Sequence, residues 1–256
     1  MTVDFFKEKY GYEIDGVWLP RVTAILSVDR NPYFWRNSNG VSAQGGLRQA
    51  AEWGTIAHET IQRIVRGELG RVEEKIAIAI QAFEEWHRKN PIRCADPEHD
   101  IEKRVFDMGN GYAGTIDLVA EVHGVIGIID LKTSTVIRKE YSLQTAAYLN
   151  AYNRNNGSGP ACEKRWILRV DQYQECMGCF AKQREKYGSA KTTGGKTICN
   201  HQWSAVKGEV EFRELENYEK DLEDFLKLKE RWESKNKEWL HKIPNYLNNI
   251  HQYKLL

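Results

Sequence analysis

A chain of 256 residues is long enough to bury a sizeable core as one domain, or as one domain with a small insert. Its 37 Lys and Arg against 36 Asp and Glu leave a formal charge of +1, which excludes a histone-like polycation and an acidic tail protein but not a basic groove balanced by acidic surface elsewhere. A hydrophobic share of 41% excludes a disordered chain, and no apolar run approaches the roughly 18 residues a membrane helix needs.

The opening MTVDFFKEKY carries acids and lacks a signal-peptide stretch, so a cytoplasmic protein with no membrane partner is expected. GYEIDGVWLPRVTAIL then reads as a β-rich opening, followed by a loop with Pro32 and Gly40. Apolar residues at helical spacing, from Leu47 through Ala57 and His58 to Ile61, predict a helix over 42–66 that Gly67 ends. A second helix over 73–89 stops at Asn90-Pro91. The period then changes, and three strands are predicted at Ile101–Asp107, Tyr112–Val122 and Val125–Lys132, with turns at Gly109-Asn110-Gly111 and His123-Gly124. VIGIID, apolar on both faces, belongs at the centre of the sheet. A helix over 142–153, a strand over 165–170, an aperiodic stretch from 174 to 207 and a long helical pattern over 209–240 complete the chain. The last reads as a solvated helix packing on the rest. The order predicts an α/β fold, a small mixed sheet flanked by helices.

Chemistry concentrates on Asp117, Asp130 and Lys132. If the second and third strands pair through their turn, the two carboxylates come within reach of each other, and a divalent cation between them relieves their repulsion. Hard oxygen ligands favour Mg²⁺ or Mn²⁺. Lys132, two residues past Asp130, points to the same face, where an ammonium can orient a water and offset charge on a phosphodiester. An isolated Asp-x-Lys, by contrast, is most often a pair of strand-end charges.

The surrounding pattern changes that reading. Gly54-Thr55-x-x-His58, Gly114-Thr115-Ile116-Asp117, Ile128-Ile129-Asp130-Leu131-Lys132-Thr133-Ser134 and Gln144-x-x-x-Tyr148 occur in that order. Together they resemble the PD-(D/E)xK nuclease superfamily, specifically its RecB-like branch, over about residues 19–152. The resemblance implies a restriction-endonuclease-like core. It implies Asp117, Asp130, His58 and the carbonyl of Leu131 as metal ligands, with Lys132 positioning or activating the attacking water. Gln144 and Tyr148 would lie beside the lysine and contact DNA backbone, and Glu102 would support the site. VWLPRVTAIL and Trp35-Arg36 are more loosely similar to the start of phage-type RecB-like exonucleases. Tyr33, Phe34 and Trp35 stack on single-stranded bases or close the core, and both readings stay open.

Five cysteines argue against a disulfide framework. Cys176-x-x-Cys179 and Cys199-x-His201, nineteen residues apart, form a Cys3His set suited to tetrahedral zinc. An iron–sulfur cluster on Cys162, Cys176, Cys179 and Cys199, and free thiols, are the alternatives; RecB-like nucleases with such a cluster place one cysteine before the core, and Cys94 does not match that place. Residues 180–207 hold six Lys or Arg and one acid, about +5, which suggests a metal-clipped finger gripping phosphates.

The expected organisation is a nuclease core at 1–173, a zinc-stapled insert at 174–207 and a helical segment at 208–256. The expected activity is metal-dependent hydrolysis of DNA without a covalent intermediate, by an exonuclease on single- or double-stranded ends. A non-catalytic nucleic-acid-binding module, or a subunit active only within a recombination, repair or CRISPR-type complex, is the competing reading. No GxxxxGK[ST] loop occurs, so any helicase action must come from a partner.

Overall fold

The computed structural model describes residues 1–29, 41–155, 157, 159 and 161–249; Pro32, Tyr33, Phe34, Trp35, Arg36 and Gly40 lie outside them. The chain opens on a helix. In α1 (Val3–Tyr10), Thr2 caps the amide of Phe5 and Phe6 is buried. A hairpin follows, β1 (Gly11–Ile14) and β2 (Val17–Pro20), around Asp15 and Gly16 in the left-handed region. Val22–Leu26 then forms the short helix α2, so the expected β-rich opening is half helical. Burial of Val22, Ile25 and Leu26 in one core decides this against their β-prone character.

Helices α3 (Val41–Val65) and α4 (Ala77–Lys89) precede β3 (Ile92–Arg93) and the single turn α5 (Pro97–Asp100). Strands β4 (Ile101–Asp107), β5 (Tyr112–Val122) and β6 (Val125–Lys132) fall on the bounds that alternation marks. After α6 (Lys139–Asn155) comes β7 (Lys164–Glu175), then the short β8 (Lys182–Arg184) and β9 (Lys191–Thr193). The chain returns in β10 (Lys207–Glu214), α7 (Tyr218–Lys235) and α8 (Lys237–Leu240).

The main sheet is mixed. β4, β5 and β6 pair antiparallel in turn, β6 runs parallel to β7, and β10 returns antiparallel along β7. Doubly apolar β6 is therefore central, as its composition requires. Phe6, Trp18, Ile116, Ile128, Ala147 and Trp232 build the core on the α6–α7 side of this sheet. Ala57, Ile61, Phe83, Leu118, Ile129 and Leu168 build the core on the α3–α4 side.

The helical pattern expected over 209–240 is wrong at its start, where residues 209–214 belong to the strand β10. Val210 and Phe212 pack on the α4 side, while Glu209 and Glu211 turn to the other face and bind Arg169. That alternation has period two, hidden in the sequence among the charges that run on into α7. α7 itself packs: Phe225 meets Tyr112 edge-on at 5.0 Å and Trp232 lies 6.1 Å from Phe6. No described helix is long and apolar enough to cross a membrane.

Arg165 of β7 locks α6 and α7 to the sheet. Its guanidinium donates to the Ser142 carbonyl at 2.8 Å, the Glu216 carbonyl at 2.6 Å and Asp221 Oδ2 at 3.0 Å, with the side chain 1% exposed. Arg165→Met strands the Asp221 carboxylate and is expected to cost about 3–5 kcal/mol. For a chain of this size that lowers Tm by on the order of 10 °C in a thermal melt; an unchanged Tm would mean the ion pair is dispensable.

Candidate active site

The β5–β6 ladder stops at Leu118↔Ile129. Beyond it β5 goes on pairing with β4, and β6 with β7, so the two strands diverge. The same register would set Asp117 opposite Asp130 at the next step, where two carboxylates oppose close pairing. Asp117 Oδ2 instead accepts the Leu131 amide at 2.6 Å, a side chain taking a ladder position. The alternation of β5 breaks here: Ile116 belongs to the α6-side core and Leu118 to the α3-side core. On β4 the matching break is Glu102, at φ 53°, between the pairs Ile101↔Leu118 and Lys103↔Ile116.

The cleft collects most of the expected residues. Asp130 is 3% exposed, and its Oδ2 is ion-paired with the Lys132 ammonium. Burial pushes the Asp117 and Asp130 carboxyls up to about 6, against the pull of Lys132. Burial also acts to lower the Lys132 pKa, but Asp130 and Asp117 outweigh it, so the ammonium holds its proton more tightly than usual. Its Nζ lies 4.9 Å from the centre of the Tyr141 ring.

His58 comes from α3. Burial, then the charge of Lys132, lowers its pKa to about 4, so at neutral pH it is an uncharged imidazole, the form that binds metals. Gly54 sets its approach, since a Cβ there would stand 2.9 Å from Thr133 Oγ1, directly after Lys132. Thr55 bonds back to Ala51 within its own helix. One turn beyond His58, buried Gln62 donates to the Glu102 carboxylate. Gln62 was not foreseen; its i+4 spacing from His58 is the signal that marks it.

Gln144 and Tyr148 meet as their spacing requires, with Gln144 Nε2 donating to the Tyr148 hydroxyl at 3.0 Å. The tyrosine, however, is 3% exposed and its ring lies on Gly114, where a Cβ would stand 2.4 Å from Cε1. Burial, then the charge of Asp130, holds its hydroxyl protonated. Tyr148 is thus the buried member of the pair, and partly exposed Gln144 is the one that reaches the surface.

At the far end of β7, the thiols of Cys176, Cys179 and Cys199 and a His201 ring nitrogen lie within 4.8 Å of one another. Cys176 and Cys199 sulfurs are 3.8 Å apart, and Cys179 Sγ is 3.4 Å from His201 Nδ1. Burial acts to raise the Cys176 pKa, but the hydrogen bond with His201, then the backbone amides of Gly178, Cys179 and Gln202, outweigh it and bring it down to about 6. Cys162 is elsewhere: it sits in the α6-side core, with its amide bonded to Asn153, before β7 begins. Twelve strand residues, about 40 Å, separate it from Cys176. A cluster using both is therefore impossible.

The basic charge of the insert is largely used internally. Lys182 pairs with Glu209, Arg184 and Lys186 with Asp171, and Lys207 with Glu175, all acids outside residues 180–207. A finger that grips phosphates with five net charges is not what the fold presents.

The pKa shifts give a sign for metal linkage. Asp117 and Asp130 are raised, so the folded chain holds protons that the unfolded chain releases between pH 4 and about 6, and stability falls as pH rises through that window. His58 is lowered and acts oppositely, losing stability as pH falls from 6.5 toward about 4. Two carboxyls outweigh one imidazole, and above the window the carboxylates are charged and crowded. Mn²⁺ is therefore expected to raise Tm at pH 7.5 and to have little effect at pH 4.5. Asp130→Asn should remove the rise, and an equal rise in that variant places the cation elsewhere.

A comparison with curated proteins gives no significant match. A family model described as the PD-(D/E)XK nuclease superfamily matches residues 70–246. The match takes in the three central strands with Asp117, Asp130 and Lys132, and begins after His58 and Gln62, whose place in the site rests on the geometry alone. It spans more than half of the chain, which belongs to the PD-(D/E)XK nuclease superfamily.

Proposed function

We propose that the chain is a divalent-metal-dependent deoxyribonuclease of the RecB-like branch that degrades DNA from its ends. The observation that carries this reading is the divergence of β5 and β6, which leaves Asp117 and Asp130 buried together beside Lys132 and neutral His58. Two buried carboxyls beside an uncharged imidazole suit a hard cation such as Mg²⁺ or Mn²⁺. Asp117, Asp130, His58 and the carbonyl of Leu131 would hold it. When bound, the cation supplies Lewis-acid stabilisation of the phosphoryl oxygens and acidifies the attacking water.

The chain's own residues do the rest. Lys132 stays protonated against Asp130, so it acts as a hydrogen-bond donor that orients the water and offsets phosphoryl charge, not as a base. Gln144, held by Tyr148, offers an amide at the mouth of the cleft. Glu102, held by Gln62, adds negative charge facing His58. His58 on α3 and the Gln144–Tyr148 pair on α6 support the RecB-like assignment; action from ends rests on that resemblance.

The Cys/His set is proposed to hold one structural zinc. Four soft or borderline donors within 4.8 Å suit tetrahedral zinc, and amide bonds to thiolate sulfur are the supporting contacts such a site needs. Metal analysis of the purified chain is expected to return one zinc per chain and no absorbance near 400 nm; a brown, iron-containing protein overturns this.

The activity is tested on end-labelled and circular DNA, single- and double-stranded, with Mg²⁺, Mn²⁺ or EDTA and an RNA control. Linear DNA should be lost only with metal, while circles survive. Lys132→Ala should bind DNA and lose about 10²–10³-fold in turnover. Near wild-type turnover in that variant sinks the assignment, and cut circles make the enzyme an endonuclease.

A further inference from the structure

Lys186 lies on the loop between Cys179 and Cys199, beyond β8, yet its side chain is only 5% exposed. Its ammonium donates to Asp171 Oδ1 at 2.8 Å and to the carbonyl of Thr133, and lies 5.3 Å from the Trp53 ring centre. Each contact belongs to a different element of the nuclease centre. Thr133 directly follows Lys132. Trp53 directly precedes Gly54, where α3 presses on Thr133 one turn before His58. Asp171 stands on β7 two residues past Arg169, the ladder partner of Lys132.

The neighbouring loop residues seat the insert on the same helix. A Cβ on Gly46 of α3 would stand 3.0 Å from the Tyr187 carbonyl, and one on Gly188 would overlap the Gln49 amide. Charge balance does not explain Lys186. Asp171 is fully buried, but Arg184 Nε already meets it at 2.7 Å and Arg169 lies at 3.6 Å. What Lys186 adds is the bond to the strand end that carries Lys132. Among the described residues the insert's own apolar cluster is Cys176, Cys179 and Ala181, with Cys199 and Trp203 against it. So small a core needs a staple at its root to hold a loop in place.

We infer that Lys186 is a positioning residue for the nuclease centre, and that metal in the Cys/His site keeps it there. The insert is thereby a metal-dependent part of the active site, joined through Lys186 to Lys132 and α3. This rests on the nuclease and zinc readings above. Displacement of a catalytic group by about 1 Å can cost 10²-fold in rate, so releasing the strand end lowers turnover more than substrate binding.

The test compares wild type, Lys186→Met, Lys186→Arg, Cys199→Ser and the double variant Lys186→Met/Cys199→Ser as full chains. Bound zinc, kcat and KM on linear DNA, and Mn²⁺ affinity by calorimetry are measured for each. Lys186→Met leaves Asp171 paired, so it should fold with one zinc. Its kcat should fall about tenfold or more with KM within about twofold, and its Mn²⁺ affinity should weaken. Lys186→Arg, which can reach the same acceptors, should recover most of the loss. Cys199→Ser should lose zinc and fall as far as Lys186→Met, with the double variant no lower. A zinc-loaded Lys186→Met with wild-type kcat and Mn²⁺ affinity overturns the proposal, as do additive losses in the double variant. If wild type cleaves nothing, the nuclease reading fails, and Mn²⁺ affinity alone still decides the coupling. If wild type holds no zinc, the link to the Cys/His site fails.

Discussion

Two carboxylates buried on neighbouring strands are the constraint around which this molecule is arranged. Asp117 and Asp130 fall opposite one another in the register of β5 and β6, and the ladder ends one step before they would pair. Their charge is costly in that setting, as their raised pKa values show. The chain meets part of the cost itself: Lys132 pairs with Asp130, and the Leu131 amide bonds to Asp117. What remains, two crowded carboxyls beside an uncharged histidine, suits a cation.

Close backbone approaches let other elements reach this point. Gly114 accepts the Tyr148 ring on β5, and Gly54 lets α3 press on Thr133. Glycines at those two positions are therefore packing devices, and each belongs to one of the sequence motifs that mark the site. β7 then connects the carboxylate cleft and the Cys/His cluster. Buried charges recur along it: Arg165 faces α7, Arg169 faces β10 and the strand end after Lys132, and Asp171 faces the insert. A buried charge needs its partners in place, so these positions tie the helices and the insert to the sheet in one geometry.

Much of the fold was legible where local pattern and tertiary role agree. β4, β5 and β6 carry their bounds in alternation and turn residues, and the apolar run of β6 declares its central place. The pattern misled where the deciding contact is distant in sequence. Val22–Leu26 looks like a strand until it packs into the core shared with α6 and α7. Residues 209–214 look helical among their charges until Glu209 and Glu211 find Arg169, some forty residues earlier. The count of basic residues in the insert was right, and its meaning was not, because the acids that pair with them lie outside it.

The sequence by itself singled out the candidate residues: which carboxylates, which lysine and histidine, and which four Cys and His donors. Those are residue types at spacings set by strand and helix periods, and such periods are local. Only the tertiary structure decided burial and partnership: that Tyr148 faces inward, that Gln62 holds Glu102, that Cys162 is too far from the other thiols, and that Lys186 bridges the insert to the strand end of Lys132. Charges acquire their energetic meaning from desolvation and from neighbours brought together by folding, and neither is written in the spacing of residues along the chain.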